Sequence, residues 1–193
     1  MKRAPFVPSV VSVPFVLVAA AVALSAPAGV AAQSAVDRAL AAAPERARAD
    51  ASVIQWNADF TYETLKEGSG PLVCYDRSDE PGRAAFAVQC TSKANLERVA
   101  QNRRFQFEAD GDREAVGALV AAAEADGSRI APEYGSLWMS MNGSDQAGAR
   151  THTTVAVPGA TTASIGLPDN PRQGGAWIMD AGKTSAHIMT PGH

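Results

Sequence analysis

From Val53 to Thr190 the chain changes periodicity twice, and the order of those changes limits the folds open to it. Val53-Ile54-Gln55-Trp56 and Phe60-Thr61-Tyr62-Glu63-Thr64-Leu65 are rich in β-branched and aromatic residues, with Asn57-Ala58-Asp59 between them as a turn. A Gly68-Ser69-Gly70-Pro71 breaker precedes a short strand candidate from Leu72 to Tyr75. The middle is helical. Ser92 is placed to cap a segment running through Leu96, Val99 and Ala100. Asp112 caps a second helix, Val116, Leu119, Val120 and Ala123 recur at helix spacing, and Gly127 stands as its C′ glycine. The Ala-rich face of this second helix is expected to pack closely on a sheet. Strand character then returns. Leu137 to Met141 ends at Asn142-Gly143, and Thr151 to Val157 ends at Pro158-Gly159. Ala176 to Asp180 and Ser185 to Thr190 flank Ala181-Gly182-Lys183-Thr184 as a hairpin. Strands, then helices, then strands predict an α+β fold. The expected form is a single domain with a mainly antiparallel sheet and two or three helices.

Residues 1–32 read as a signal peptide. Lys2 and Arg3 form a positive n-region, and an apolar run follows from Val10 to Leu24. That run is shorter than the roughly 20 residues that span a bilayer. Ala26-Pro27-Ala28 and Val30-Ala31-Ala32 both fit the small-x-small cleavage rule. The expected location is therefore periplasmic or extracellular, with no integral membrane segment after processing. Residues 33–50 read as an Ala/Arg-rich segment, partly helical or disordered, in which Pro44 suits the first turn of a helix through Ala49. The globular domain is then expected over residues 51–193.

Composition narrows the partners. The formal net charge is −3, with no polybasic cluster to neutralise phosphates, which excludes nucleic acid as a partner. Cys74 and Cys90 are the two cysteines, and an even count in an exported chain predicts a disulfide between them. The bond would close the loop carrying Pro81-Gly82 at its base and stabilise by roughly 3 kcal/mol in the chain-entropy model. A C-x-x-C redox pair is absent, and two cysteines alone make an incomplete zinc site.

Motifs of known chemistry fail on inspection. Ala181-Gly182-Lys183-Thr184 resembles the end of a phosphate-binding loop, but Trp177 stands where the motif needs its first glycine. No Ser-x-x-Lys, G-x-S-x-G, H-E-x-x-H or G-x-G-x-x-G occurs. His193 is terminal, so attention falls on His152 and His187, each in a strand that ends in Pro-Gly. The two strands are expected in one sheet with both imidazoles on one face. A metal site of His152, His187 and Asp180 follows as a hypothesis, since two imidazoles and a carboxylate suit zinc. Met139, Met141 and Met189 extend that hypothesis to Cu(I). The hairpin around Gly182 is open to two registers. The register expected here places His187 opposite Ile178, with Trp177, Met179, Ala186 and Ile188 as the apolar face. The alternative groups His187 and Met189 with Trp177 and Met179.

Several pieces together resemble a group of uncharacterised exported bacterial proteins. They are the signal peptide, Gly68-Ser69-Gly70 before Cys74, the second Cys after a Pro-Gly loop, and the two late His strands. Gly174-Gly175-Ala176-Trp177-Ile178-Met179 followed by Ala186-His187-Ile188-Met189 and Pro191 is similar to that group's C-terminal signature, whereas Arg150-Thr151 replaces its Gly-Pro. The resemblance implies export and a shared fold, and no activity. The leading functional expectation is a non-enzymatic domain binding a small ligand or a protein partner. The alternatives are a Zn or Cu protein using His152 and His187, and a hydrolase in which Asp180 orients His187 as base.

Overall fold

The computed structural model describes residues 28–190 and Met1, with side chains from residue 33 onward. The n-region, the apolar run, the first cleavage site up to Pro27, and His193 lie outside the described residues. The chain begins with helix α1 (Ala28–Ala39), a 3-10 turn over Leu40–Ala42 and a single helical turn, α2 (Glu45–Arg48). Strands β1 (Ser52–Trp56), β2 (Tyr62–Lys66), β3 (Leu72–Asp76) and β4 (Phe86–Ser92) follow. Helices α3 (Leu96–Glu108) and α4 (Arg113–Asp126) lead to β5 (Leu137–Gly143) and β6 (Arg150–Ala156). A one-turn helix α5 (Thr162–Ile165) precedes the short strands β7 (Trp177–Met179) and β8 (His187–Met189). The fold is α+β, with more helical segments than the two or three expected.

The strands of the described residues form one eight-stranded sheet in the order β2-β1-β3-β4-β5-β6-β8-β7. Every pairing is antiparallel except β1 with β3. The β1–β2 hairpin turns at Asn57–Thr61, where Asp59 accepts from the Thr61 amide and hydroxyl and Phe60 takes a φ of 67°. Phe60, expected in the strand, is therefore a turn residue, and its ring packs edge-on to Phe107.

The sheet buries both faces around its centre because its strands carry apolar residues on both sides. On one face Val53, Cys74, Cys90, Phe86, Val88 and Met139 pack under the N-terminal segment. Val36, Ala39, Leu40 and Ala43 supply the cover, at the three- and four-residue spacing of one helix face. The segment read as partly helical or disordered is thus helical and part of the core, and the globular body extends upstream of residue 51. The Val30-Ala31-Ala32 cleavage site falls within α1. On the opposite face Ile54, Trp56, Val73 and Tyr75 pack against Val99 of α3.

The Cys74–Cys90 disulfide is present. Both cysteines are fully buried and directly paired between β3 and β4. Beyond it the loop after β3 is strapped to α3 by charge. Glu80 is 2% exposed, and its carboxylate accepts from Arg77 (2.6 and 2.9 Å), Arg83 (3.0 Å) and Arg103 (2.8 Å). Burial by itself would raise its pKa. The bonds and charge of Arg77, joined by Arg83 and Arg103, hold it below the usual carboxylate range instead. Arg103, 2% exposed, also reaches Asp79 at 2.6 Å. The loop tip touches the α3–α4 corner, where Gly111 (φ 75°) lies so close that a Cβ would stand 2.5 Å from Pro81.

Helix α4 starts and ends as the sequence dictates. Asp112 accepts from the Ala115 amide at 2.8 Å, and Gly127 is left-handed with φ 77°. Its packing differs from expectation. It lies on α3 rather than on the sheet, and most of its alanines stay exposed, with Ala123 buried. The reason is order in space: α3 already occupies the sheet face that α4 would need.

The hairpin register also differs from the one expected. Trp177 pairs with Met189, Ile178 with Ile188, and Met179 with His187. His187 and Met189 therefore share a face with Trp177 and Met179, while Ile178 is 1% exposed on the other side. The connection makes two successive turns, Lys183 N to Asp180 O and Ala186 N to Lys183 O, and Gly182 donates sideways to Ala160. These turns lengthen the loop to residues 180–186, an odd number, and odd parity exchanges the faces of a hairpin. Among the described residues, no helix is long and apolar enough to cross a membrane.

Candidate functional site

The face that α3 covers at β1 and β3 is left open farther along the sheet. Register places a row of side chains there. Tyr75 pairs with Gln89, Gln89 with Ser140, and Ser140 with His152. One step along, Trp138 pairs with Thr154, and Ala156 pairs with His187. Paired residues share a face, and so do residues two apart on a strand. His152, Thr154, Ala156 and His187 therefore floor one groove.

Helix α3 forms the wall. Its start is fixed by Asn95, which is fully buried and donates to Thr91 Oγ1 (2.8 Å) and Ser136 Oγ (3.0 Å) while accepting from the Glu133 amide (2.7 Å). Arg98, Asn102 and Gln106 then follow at four-residue spacing, on the helix side that faces the groove. The groove has two parts that meet at Gln89, Asn102 and Trp138. One, of about 270 Å³, reaches Arg98, His152 and His187. The other, of about 230 Å³, reaches Arg77, Arg83 and Val120 beneath α4.

The electrostatics are one-sided. Among the described residues, no carboxylate lines either part. Arg98 is 5% exposed, and its Nη1 donates to Ile130 O and to Thr184 Oγ1 (2.9 Å). No carboxylate of the described residues lies within 4.0 Å of Arg98 or of its neighbour Arg129. Burial, assisted by the Arg129 charge, pushes the Arg98 pKa down to about 10. Glu124 is the nearest counter-charge, but it stands behind Thr184, accepting that hydroxyl at 2.5 Å.

Two groove amides are oriented by arginines. Arg129 donates to Asn102 Oδ1 at 2.5 Å, and Arg77 donates to Gln89 Oε1 at 3.2 Å, a carbonyl that also accepts from Tyr75 at 2.8 Å. A guanidinium has donors only, so the amide oxygens must face the arginines. The NH₂ groups of Asn102 and Gln89 are left as donors, and both residues line the groove.

The structure separates the expected metal set. Four residues of strand part His152 from Ala156, the partner of His187, which is about 13 Å at 3.3 Å per residue. The two imidazoles share a face and a groove but stand at different stations along it. Asp180 is in the exposed hairpin turn with φ 54° and borders another cavity, beside Glu124 and Lys183. His187 Nδ1 donates to Ser185 O at 2.7 Å, so the residue that orients this ring is Ser185 rather than Asp180. Met139 and Met141 pair with Thr153 and Thr151 and so project from the face opposite the histidines, whereas Met189 shares the face of His187. Among the described residues, no group of three or more His, Cys, Asp and Glu side chains comes together as a metal site.

A further cavity of about 310 Å³ opens between α1 and β1, beside Arg38, Asp76 and Asp79. Its charges are spent internally, since Asp76 is bonded by Arg38 and Ser78 and Asp79 by Arg103. The groove differs in holding a buried cation without a carboxylate. Arg98 and Asn102 were not among the residues singled out in the sequence, although their four-residue spacing marked one helix face. Neither a family model, nor a curated protein, nor a solved structure matches the chain.

Proposed function

We propose that the protein is an exported, non-enzymatic domain that holds a small polar ligand in the groove between α3 and the strands β4, β5, β6 and β8. The observation that supports this reading most is the convergence of Arg98, Asn102, Gln89, His152 and His187 on one concavity. Trp138 and Pro132 add apolar wall, and a few convergent polar groups on an apolar surface are the usual make-up of a ligand site. Export is supported by the disulfide, which persists in oxidising compartments. Among the described residues, His187 is held by the Ser185 carbonyl rather than by a carboxylate that would orient it as a base, which favours binding over turnover.

The test uses the intrinsic fluorescence of Trp138, which stands where the two parts of the groove meet. Purified oxidised protein is titrated with a panel of small polar metabolites, divalent zinc and Cu(I). At least one metabolite should change the emission saturably, and Trp138→Phe should remove that change. A panel that binds elsewhere, with emission changes retained in Trp138→Phe, would overturn the assignment. Saturation by zinc or Cu(I) alone would replace it with the metal reading.

A further inference from the structure

Given that the groove is the ligand site, we infer that its ligand is an oxyanion, a carboxylate or a phosphate, bound between the Arg98 guanidinium and the NH₂ groups of Asn102 and Gln89. In a chain with 20 acidic residues and a net charge of −3, a concavity bordered by Arg77, Arg83 and Arg98, with no Asp or Glu among the described residues lining it, is a local inversion of charge. Arg77 and Arg83 each contact the Glu80 carboxylate, whereas among the described residues Arg98 has no carboxylate in contact.

Three features build the site beyond the presence of positive charge. Arg98 is nine-tenths buried, and its Nη1 donates only to uncharged oxygens, Ile130 O and Thr184 Oγ1, with Glu124 one hydroxyl farther away. Arg129 holds Asn102 by its carbonyl and is itself held by Gln101 Oε1 at 2.5 Å. Arg77 holds Gln89 in the same sense from the other end of the groove. A protein that binds a cation or a mixed donor–acceptor ligand has no use for amides locked in this way. Locked donors around a desolvated guanidinium match the lone pairs of an oxyanion, and such charge-assisted bonds are the strong ones. The geometry does not depend on His152 or His187, which border the same space and would meet the remainder of the ligand.

The decisive variant is Asn102→Asp. It keeps the oxygen that accepts from Arg129, so the fold keeps that contact, but it exchanges the groove-side donor for a second acceptor carrying negative charge. Arg98→Gln is the companion, and circular dichroism reports whether each variant is folded. Binding to wild type and Asn102→Asp is measured calorimetrically at constant ionic strength with inorganic phosphate, succinate and glucose. Phosphate or succinate should bind wild type and weaken roughly tenfold or more in folded Asn102→Asp, the effect of losing about one charge-assisted bond. Preference for phosphate over succinate, or the reverse, identifies which oxyanion the site fits. Glucose binding that Asn102→Asp leaves unchanged, with neither anion bound, overturns the oxyanion inference and leaves the groove reading standing. No binding of any of the three, together with a silent Trp138, removes both.

Discussion

Cys74 and Cys90 face each other in direct register across β3 and β4, with their Cα atoms 4.0 Å apart and α1 and its 3-10 turn lying over them. The bond ties adjacent strands and closes a loop whose ends are 16 residues apart in sequence. The double variant Cys74→Ala/Cys90→Ala should lose about 3 kcal/mol in urea unfolding, the loop-closure contribution. Thiol titration of unreduced, denatured wild type should find no free thiol. A free thiol there, or a double variant as stable as wild type, would remove the bond's structural role.

Glu80 should be the most sensitive charged position outside the groove. Glu80→Gln leaves Arg77, Arg83 and Arg103 facing a neutral amide in a buried setting, and about 3–5 kcal/mol should be lost at pH 7. The folded-state pKa of Glu80 is depressed. Its contribution is therefore complete above the unfolded value of about 4.3 and disappears as pH falls through the lower folded value. Stability of wild type should drop steeply in that acid range, and Glu80→Gln should flatten the drop. Parallel pH profiles for the two proteins would contradict this.

Gly111 and Gly127 offer a controlled comparison, because both are left-handed but their surroundings differ. A Cβ at Gly127 meets nothing within 4 Å, whereas one at Gly111 meets Pro81 and Gly82. Gly127→Ala should lose about 1 kcal/mol from backbone strain alone. Gly111→Ala should lose more than roughly 2 kcal/mol, since the loop tip must also move. Equal losses measured by thermal unfolding would mean that the tip is not seated against the corner.

The β7–β8 register can be read by two substitutions one residue apart. Ile178→Ala should lose about 2–4 kcal/mol because the side chain is 1% exposed in a cluster with Val157 and Ala186. Met179→Ser should stay within about 0.5 kcal/mol, as its side chain is 42% exposed. The reverse ranking would restore the register first expected from the sequence.

Much of the sheet was legible because its strands declare themselves locally. β1, β3, β5 and β6 lie within a residue or two of the β-rich runs, and Asp112 and Gly127 mark the ends of α4 by cap chemistry. What failed was information carried over distance. The role of α1 depends on the apolar face of β3 and β4, and its alanines look equally at home in a loose segment. The hairpin register turned on the parity of a loop whose turns are set by contacts with Gly159 and Ala160. The groove was hidden for a related reason. His152 and His187 stood out by residue type, but Arg98, Asn102 and Gln89 acquire meaning only once a helix and a sheet face are brought together.

The position of β8 bears on how the molecule is assembled. It is the last described strand in the chain, yet in space it is inserted between β6 and β7. β7 emerges earlier, but among the described residues it has no hydrogen-bonded strand neighbour other than β8. A chain delivered from its N-terminus must therefore hold β7 in waiting until residues 187–189 arrive and join both neighbours at once. The same event brings His187 to the groove, so until β8 joins, the groove floor is unfinished. Closing the sheet and completing the groove floor become a single step.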